Sequence, residues 1–131
     1  MFSERIPQGK LVLKDFSLAN TEQLDKYDIG VILGNALDNA IEAAERVKES
    51  KIVIELSAKR KGKMLLLNIK NPYSGEELKR DYNGLPISTK TKGTHGIGLY
   101  NIRRIALKYS GMIKISTTER EFILSVMLKL P

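Results

Sequence analysis

Two asparagines four residues apart, Asn35 and Asn39, lie in the segment Leu33-Gly-Asn-Ala-Leu-Asp-Asn-Ala-Ile-Glu-Ala-Ala44. Its apolar spacing predicts a helix, and on a helix residues four apart are neighbours on one stripe. Asp38, Glu42 and Arg46 share that polar stripe. Asparagine is a mediocre helix former, so two of them in mid-helix carry a cost that local propensity does not offset. A carboxamide oxygen projecting from a rigid helix suits a hard cation such as Mg²⁺, which takes oxygen ligands and shares them with phosphates. The competing reading is a solvated polar face that holds two asparagines.

A second segment, Thr89-Lys-Thr-Lys-Gly-Thr-His-Gly-Ile-Gly-Leu99, is a glycine- and lysine-rich loop feeding into a helix. Gly96 and Gly98 allow close backbone approach to a ligand, and the first amides of the helix are unsatisfied donors. With the helix dipole and the charges of Lys90 and Lys92 they make an anion site. The spacing is neither that of a P-loop nor that of a dinucleotide-binding strand–turn–helix. A third segment, Asn71-Pro-Tyr-Ser-Gly75, ends a strand and enters a long connection. Taken alone it reads better as a simple strand-terminating turn.

The elements that must hold these groups follow from periodicity. Lys10 to Phe16 reads as a short strand and Ser17 to Gln23 as a polar turn. A helix is expected from about Tyr27 to Lys48, with Ile29, Leu33, Ala36, Leu37, Ala40, Ala44 and Val47 as its apolar face. Ile52, Ile54 and Leu56 alternate with Val53, Glu55 and Ser57 as a strand does. Lys59 to Lys63 then forms a basic, solvated turn around Gly62, and Met64 to Lys70 a second strand. Tyr73 to His95 has no sustained period, apart from a helical turn near Glu76 to Asp81. A connection this long is usually functional. Leu99, Ile102, Ala106 and Tyr109 mark a helix capped by Gly111, and Met112 to Thr118 with Phe122 to Leu130 form a closing hairpin. This order predicts an α/β sandwich: a mixed, mostly antiparallel sheet covered on one face by helices.

Composition narrows the chemistry further. The 131 residues suit one domain, spanning 1–131, with 42% hydrophobic and 28% charged residues. No run is long and apolar enough to span a bilayer, so direct membrane insertion is not expected. Zero Cys excludes disulfide scaffolds, thiolate metal sites and thiol nucleophiles, and a single His argues against a histidine-rich metal site or a multi-histidine relay. The net charge of +7 favours an anionic partner. Nucleic acid is not expected, because no dense aromatic-basic array accompanies the charge and the chain has no Trp.

Taken in order, the three segments resemble the motifs of the Bergerat-fold ATPases, the GHKL superfamily of gyrase, heat-shock chaperone, histidine kinase and mismatch-repair proteins. Leu33 to Ala44 is similar to the family's N box, and Gly93 to Leu99 to its second glycine box. The wording Asn-Ala-Leu-Asp-Asn-Ala-Ile-Glu-Ala, with Ser-Thr-Lys before His-Gly-Ile-Gly-Leu, resembles that of peptide-sensing, quorum-type sensor histidine kinases. The resemblance runs from about Asp28 to Leu130.

That resemblance implies an ATP- and Mg²⁺-using protein-histidine kinase domain, with Tyr73 to His95 as its ATP lid. Asn39 would coordinate the Mg²⁺ bridging the ATP phosphates, and Asn35 would support the phosphate or metal site. Asn71 stands where most of the superfamily has the Asp that accepts from the adenine amino group. Lys90, Gly93, His95, Gly96, Gly98 and Leu99 belong to the loop that would close over the triphosphate. The Asp-x-Gly-x-Gly motif is absent, and neither Thr117 nor Ser125 aligns with the late-strand Thr of the family. In the hydrolytic branches a Glu occupies the position of Asn35, and an amide cannot serve as a general base. Transfer to an external acceptor is therefore expected rather than rapid hydrolysis. His95 lies in the lid and is not expected to be that acceptor, so the phosphoacceptor His would come from another domain of a larger, membrane-bound kinase. Its cytoplasmic portion would include this chain, and a response regulator would lie downstream. A GHKL ATPase, an anti-sigma-type serine kinase, and a degenerate, nucleotide-free interaction module are the alternatives.

Overall fold

A computed structural model of the chain describes residues 9–47, 52–75, 85 and 97–131. Among these residues five strands and two helices follow in the order β1 (Gly9–Phe16), α1 (Lys26–Glu45), β2 (Ile52–Lys61), β3 (Met64–Pro72), α2 (Ile97–Lys108), β4 (Met112–Thr117) and β5 (Glu121–Lys129). The strands form one sheet in the order β1-β2-β3-β5-β4. Only β1 pairs in parallel, with β2 across the α1 crossover; the remaining pairs are antiparallel. The expected mixed, mostly antiparallel sandwich is the observed one.

Strict alternation builds the sheet's inner face. Ile54, Leu56, Ala58, Leu65, Leu67, Ile69, Leu124, Val126 and Leu128 are buried, while their sequence neighbours face outward. The two helices cover that inner face: α1 lies over β3 and against α2, and α2 lies over β4 and β5.

Helix α1 starts where Asp25, in extended conformation, accepts a hydrogen bond from the Tyr27 N–H at 2.8 Å. Its buried stripe is Ile29, Ile32, Ala36, Ala40, Ile41 and Ala44, whereas Leu33 and Leu37 are only half-buried. The expected face is thus rotated by about one residue. The cause is that α1 packs on two sides, against the sheet and against α2. Alanines at 36, 40 and 44 keep that approach close.

Three boundaries differ from expectation. Strand β2 runs on to Lys61, so Lys59 to Lys61 lie on the sheet and only Gly62 and Lys63 form the turn. Helix α1 ends at Glu45 rather than near Lys48. At the end of α2 it is Ser110, not Gly111, that takes the left-handed conformation, with φ 54°. The Ser110 N–H donates to Leu107 O at 3.0 Å and the Gly111 N–H to Ala106 O at 2.7 Å, the paired bonds of a Schellman motif. Gly111 answers a different need: a Cβ there would stand 1.7 Å from the Met127 carbonyl oxygen. Within the expected lid only residues 73–75 and Leu85 are described, and Leu85 is buried in the core. The helical turn expected at residues 76–81 lies outside the described residues.

Candidate functional site

Asn35 and Asn39 occupy adjacent turns of α1 and are half-buried, Asn35 against the start of α2 at Gly98. Asn35 is fixed by its own helix, since Nδ2 donates to the Val31 carbonyl at 2.8 Å. That bond turns Oδ1 toward the start of α2. There a Cβ added at Gly98 would stand 3.0 Å from Asn35 Oδ1 and 3.5 Å from its Cβ. The close approach at Gly98 is therefore first a helix-to-helix contact that seats the glycine segment on the asparagine stripe. Asn39 makes no hydrogen bond among the described residues, so its carboxamide keeps its full capacity.

Asn71 sits near the end of β3 on the sheet's inner face, 1% exposed. Its Nδ2 donates to the Pro72 carbonyl at 2.8 Å, which commits one N–H and fixes the amide's orientation. Its Oδ1 is buried and has no hydrogen-bond partner among the described residues. An unmatched buried acceptor costs about 1–3 kcal/mol, so a native structure that retains one invites an outside donor. Beyond it, Tyr73 packs tilted against Phe122, ring centroids 5.8 Å apart, and the Tyr73 N–H donates to Arg120 O at 2.7 Å. Gly75 follows with φ 82°, where a Cβ would stand 2.7 Å from the Glu119 carbonyl oxygen.

Of the glycine segment, the backbone of Ile97 and residues Gly98 and Leu99 are described. The Leu99 side chain is 4% exposed and belongs to the core, so only its backbone in the first turn of α2 is available to a ligand. Lys90, Gly93, His95 and Gly96 lie outside the described residues. Among the described residues no group of three or more His, Cys, Asp and Glu side chains could hold a metal ion. A cation here would rest on amide oxygens and on oxygens brought by its ligand. The donor set fits Mg²⁺ shared with phosphate.

Sequence reasoning missed a polar cluster at the opposite end of the helix pair. Asp28, 7% exposed in the first turn of α1, accepts from Lys108 Nζ and from Tyr109 Oη, both at 2.7 Å. Tyr109 Oη in turn accepts from the Asp25 N–H at 3.0 Å. The Lys108 ammonium, and then the Tyr109 hydroxyl, hold the Asp28 carboxyl below its ordinary range. Lys108 is raised by the same carboxylate, and Tyr109 is raised by burial first and by Asp28 second. The carboxylate lies at a helix N-terminus and the ammonium at a helix C-terminus, both favoured by the dipoles. The available signal was an acid in one first turn and a base in another last turn, and nothing in the sequence pairs them.

The architecture is that of histidine-kinase catalytic domains. The fold matches the catalytic domain of histidine kinase ThkA with a TM-score of 0.71 at 24% identity, covering 99% of this chain and 88% of that one. It matches the Acinetobacter baumannii histidine kinase AdeS with a TM-score of 0.66 at 21% identity, covering 98% and 59%. By sequence, residues 24–129 match the GHKL domain family, and the chain belongs to that family. It is 31% identical over 100 residues to the Escherichia coli (strain K12) sensor histidine kinase DpiB, covering 73% of this chain and 18% of that protein. A probable C4-dicarboxylate sensor kinase of Bacillus subtilis (strain 168) is 33% identical over 99 residues, with the same coverages of 73% and 18%. The chain thus spans about a fifth of the length of these curated relatives. No helix among the described residues is long and apolar enough to cross a membrane.

Proposed function

We propose that this chain is the nucleotide-binding catalytic domain of a sensor histidine kinase, moving the ATP γ-phosphoryl group to a His on a separate phosphoacceptor domain. The observation that carries the reading is the buried, unpartnered Oδ1 of Asn71, on the same face of the sheet as the α1 asparagine stripe. The Pro72 carbonyl holds the amide with its acceptor free. That acceptor matches the exocyclic amino group of adenine and mismatches the carbonyl of guanine. Asn39 would hold Mg²⁺, which when bound neutralises charge on the phosphates.

Asn35 supports transfer over hydrolysis. One N–H is committed to Val31 O, and an amide takes no proton at neutral pH, so it cannot activate water. Its work is to present a fixed dipole beside the first amides of α2. Phosphoryl transfer asks for little more than positioning and charge stabilisation. The acceptor His, a cognate response regulator and a cytoplasmic setting within a membrane-bound kinase are parts of the same proposal.

Titration calorimetry with a non-hydrolysable ATP analogue tests it. Binding that requires Mg²⁺ is expected, with adenine preferred over guanine nucleotides, and slow phosphate release by the chain alone. Absence of binding at millimolar nucleotide would refute the reading, and rapid steady-state hydrolysis would turn it toward an ATPase.

A further inference from the structure

The outward face of the sheet divides into two unlike halves. Toward one end, Lys70 of β3 lies 3.2 Å from Glu55 and 3.3 Å from Glu121, a neutralised network across β2, β3 and β5. Toward the other end, cross-strand neighbours form a row: Lys59 opposite Leu66, Leu66 opposite Met127, and Met127 opposite Met112. A parallel row sets Lys61 opposite Met64 and Met64 opposite Lys129. Lys114 lies two residues beyond Met112 on the same face of β4, and Lys63 stands in the adjoining turn. Met112 is 53% exposed; Met64, Leu66 and Met127 are half-buried, and the five lysines are exposed.

The result is a shallow apolar strip rimmed by cations. Strands β2 to β5 place no acidic side chain in this half, and none of its five lysines is in an ion pair among the described residues. Asp15 on β1 lines a hollow with Lys59 and Arg60. Arg60 is committed elsewhere, its guanidinium donating to the carbonyls of Gly62 and Asn20 at 2.8 and 2.9 Å.

Two features select the kind of partner. Protein interfaces favour Arg, whose planar fork pairs with carboxylates, and are depleted in Lys. Here the rim is all Lys, compact charges on long stems that respond to a diffuse surface potential and can lay their methylenes along an apolar surface. The centre is rich in methionine, which adapts to irregular apolar surroundings. We propose that this half of the sheet is a peripheral docking surface for an anionic lipid bilayer. The asparagine stripe and the start of α2 lie on the opposite face of the sheet, so the docked domain keeps its candidate nucleotide site open.

Co-sedimentation of the 131-residue chain with vesicles tests this. Vesicles of equal parts phosphatidylcholine and phosphatidylglycerol are expected to bind it, pure phosphatidylcholine vesicles are not, and high salt is expected to release it. At about 1 kcal/mol for each lysine near an anionic surface, Lys59→Gln/Lys61→Gln should weaken partition about thirty-fold. The same charge loss on the helical side, Lys26→Gln/Arg104→Gln, should change it less than about threefold if that contribution falls off within a Debye length. All four positions are exposed, and circular dichroism verifies that each variant folds. Failure to bind anionic vesicles at low salt would overturn the proposal, as would equal losses in the two double variants. Tighter binding to a polyglutamate peptide than to vesicles would assign the patch to an acidic protein, and displacement by millimolar inorganic phosphate would reduce it to a simple anion site.

Discussion

The two ends of the α1–α2 pair treat buried polar groups in opposite ways. At the Asp28 end the carboxylate has both its donors, and the Tyr109 hydroxyl both gives and receives a hydrogen bond. At the asparagine end Asn39 has no partner among the described residues, and across the core the Oδ1 of Asn71 has none. A satisfied buried network holds a fold in register; an unsatisfied one costs stability that a ligand can return. The helices are antiparallel, since Asp28 meets Lys108 while Asn35 meets Gly98. The saturated end therefore anchors the helix whose other end must meet the ligand.

The largest expected effect breaks the open end. Asn39→Ala should lower Mg²⁺-dependent nucleotide affinity by about 10–100-fold, the usual scale for disturbing a metal site, with little change in thermal stability. Calorimetry and a melting curve on the same sample separate the two. Asn71→Leu sharpens the contrast. It removes an unmatched buried acceptor and keeps a similar volume, so the free domain should be as stable or more stable, while nucleotide binding falls at least about tenfold. If Asn71→Leu instead lowered stability and left binding unaltered, Asn71 would be a structural residue.

How much of this was legible in the sequence depends on the range of the cause. Alternation at Ile52, Ile54 and Leu56 reads directly, because side-chain direction in a strand is a local property. The α1 stripe reads to within one residue. Burial of Ile32 and Ile41 in place of Leu33 and Leu37 depends on packing against two partners, which no single-helix period contains. Gly111 was legible as a punctuating residue but not for its reason, the Met127 carbonyl sixteen positions away. Asn35 and Asn39 announced themselves by being poor choices for a helix interior. The free oxygen of Asn71 could not be read, since it takes burial under the helices and the geometry of one carbonyl to create it. The Asp28 cluster joins residues 80 and 81 positions apart and was invisible for the same reason.

The saturated end should yield smaller, pH-dependent effects on stability. Asp28→Asn leaves the Tyr109 hydroxyl and its neighbours a weaker, neutral acceptor, and is expected to cost about 1–2 kcal/mol by chemical denaturation at neutral pH. Asp28 is held below its unfolded value, so its contribution is present above about pH 3.9 and is lost as pH falls toward its folded pKa. The difference between wild type and Asp28→Asn should therefore shrink in acid. Lys108 and Tyr109 are raised, so their contributions are complete below about pH 10 and fade as alkali carries the pH through their folded values. A wild-type-to-Asp28→Asn gap that stays constant across the acid range would dissociate the cluster from Asp28.

The smallest effect lies at the open end, where α2 begins against α1. Gly98→Ala adds a methyl 3.0 Å from Asn35 Oδ1, a contact that the amide can relieve by moving a few tenths of an ångström. Alanine in place of glycine inside a helix stabilises it by about 0.5–1 kcal/mol, a gain of the same order as the strain of that shift. Stability is thus expected to stay within about 0.5 kcal/mol of wild type. The displaced dipole, by contrast, no longer lies beside the first amides of α2, and nucleotide affinity should fall several-fold. Such a split, affinity lost and stability kept, would show that Gly98 is there to seat Asn35. If both held, the tolerance of α2's first turn would extend to the asparagine itself, and the work of the open end would pass to Asn39 and Asn71.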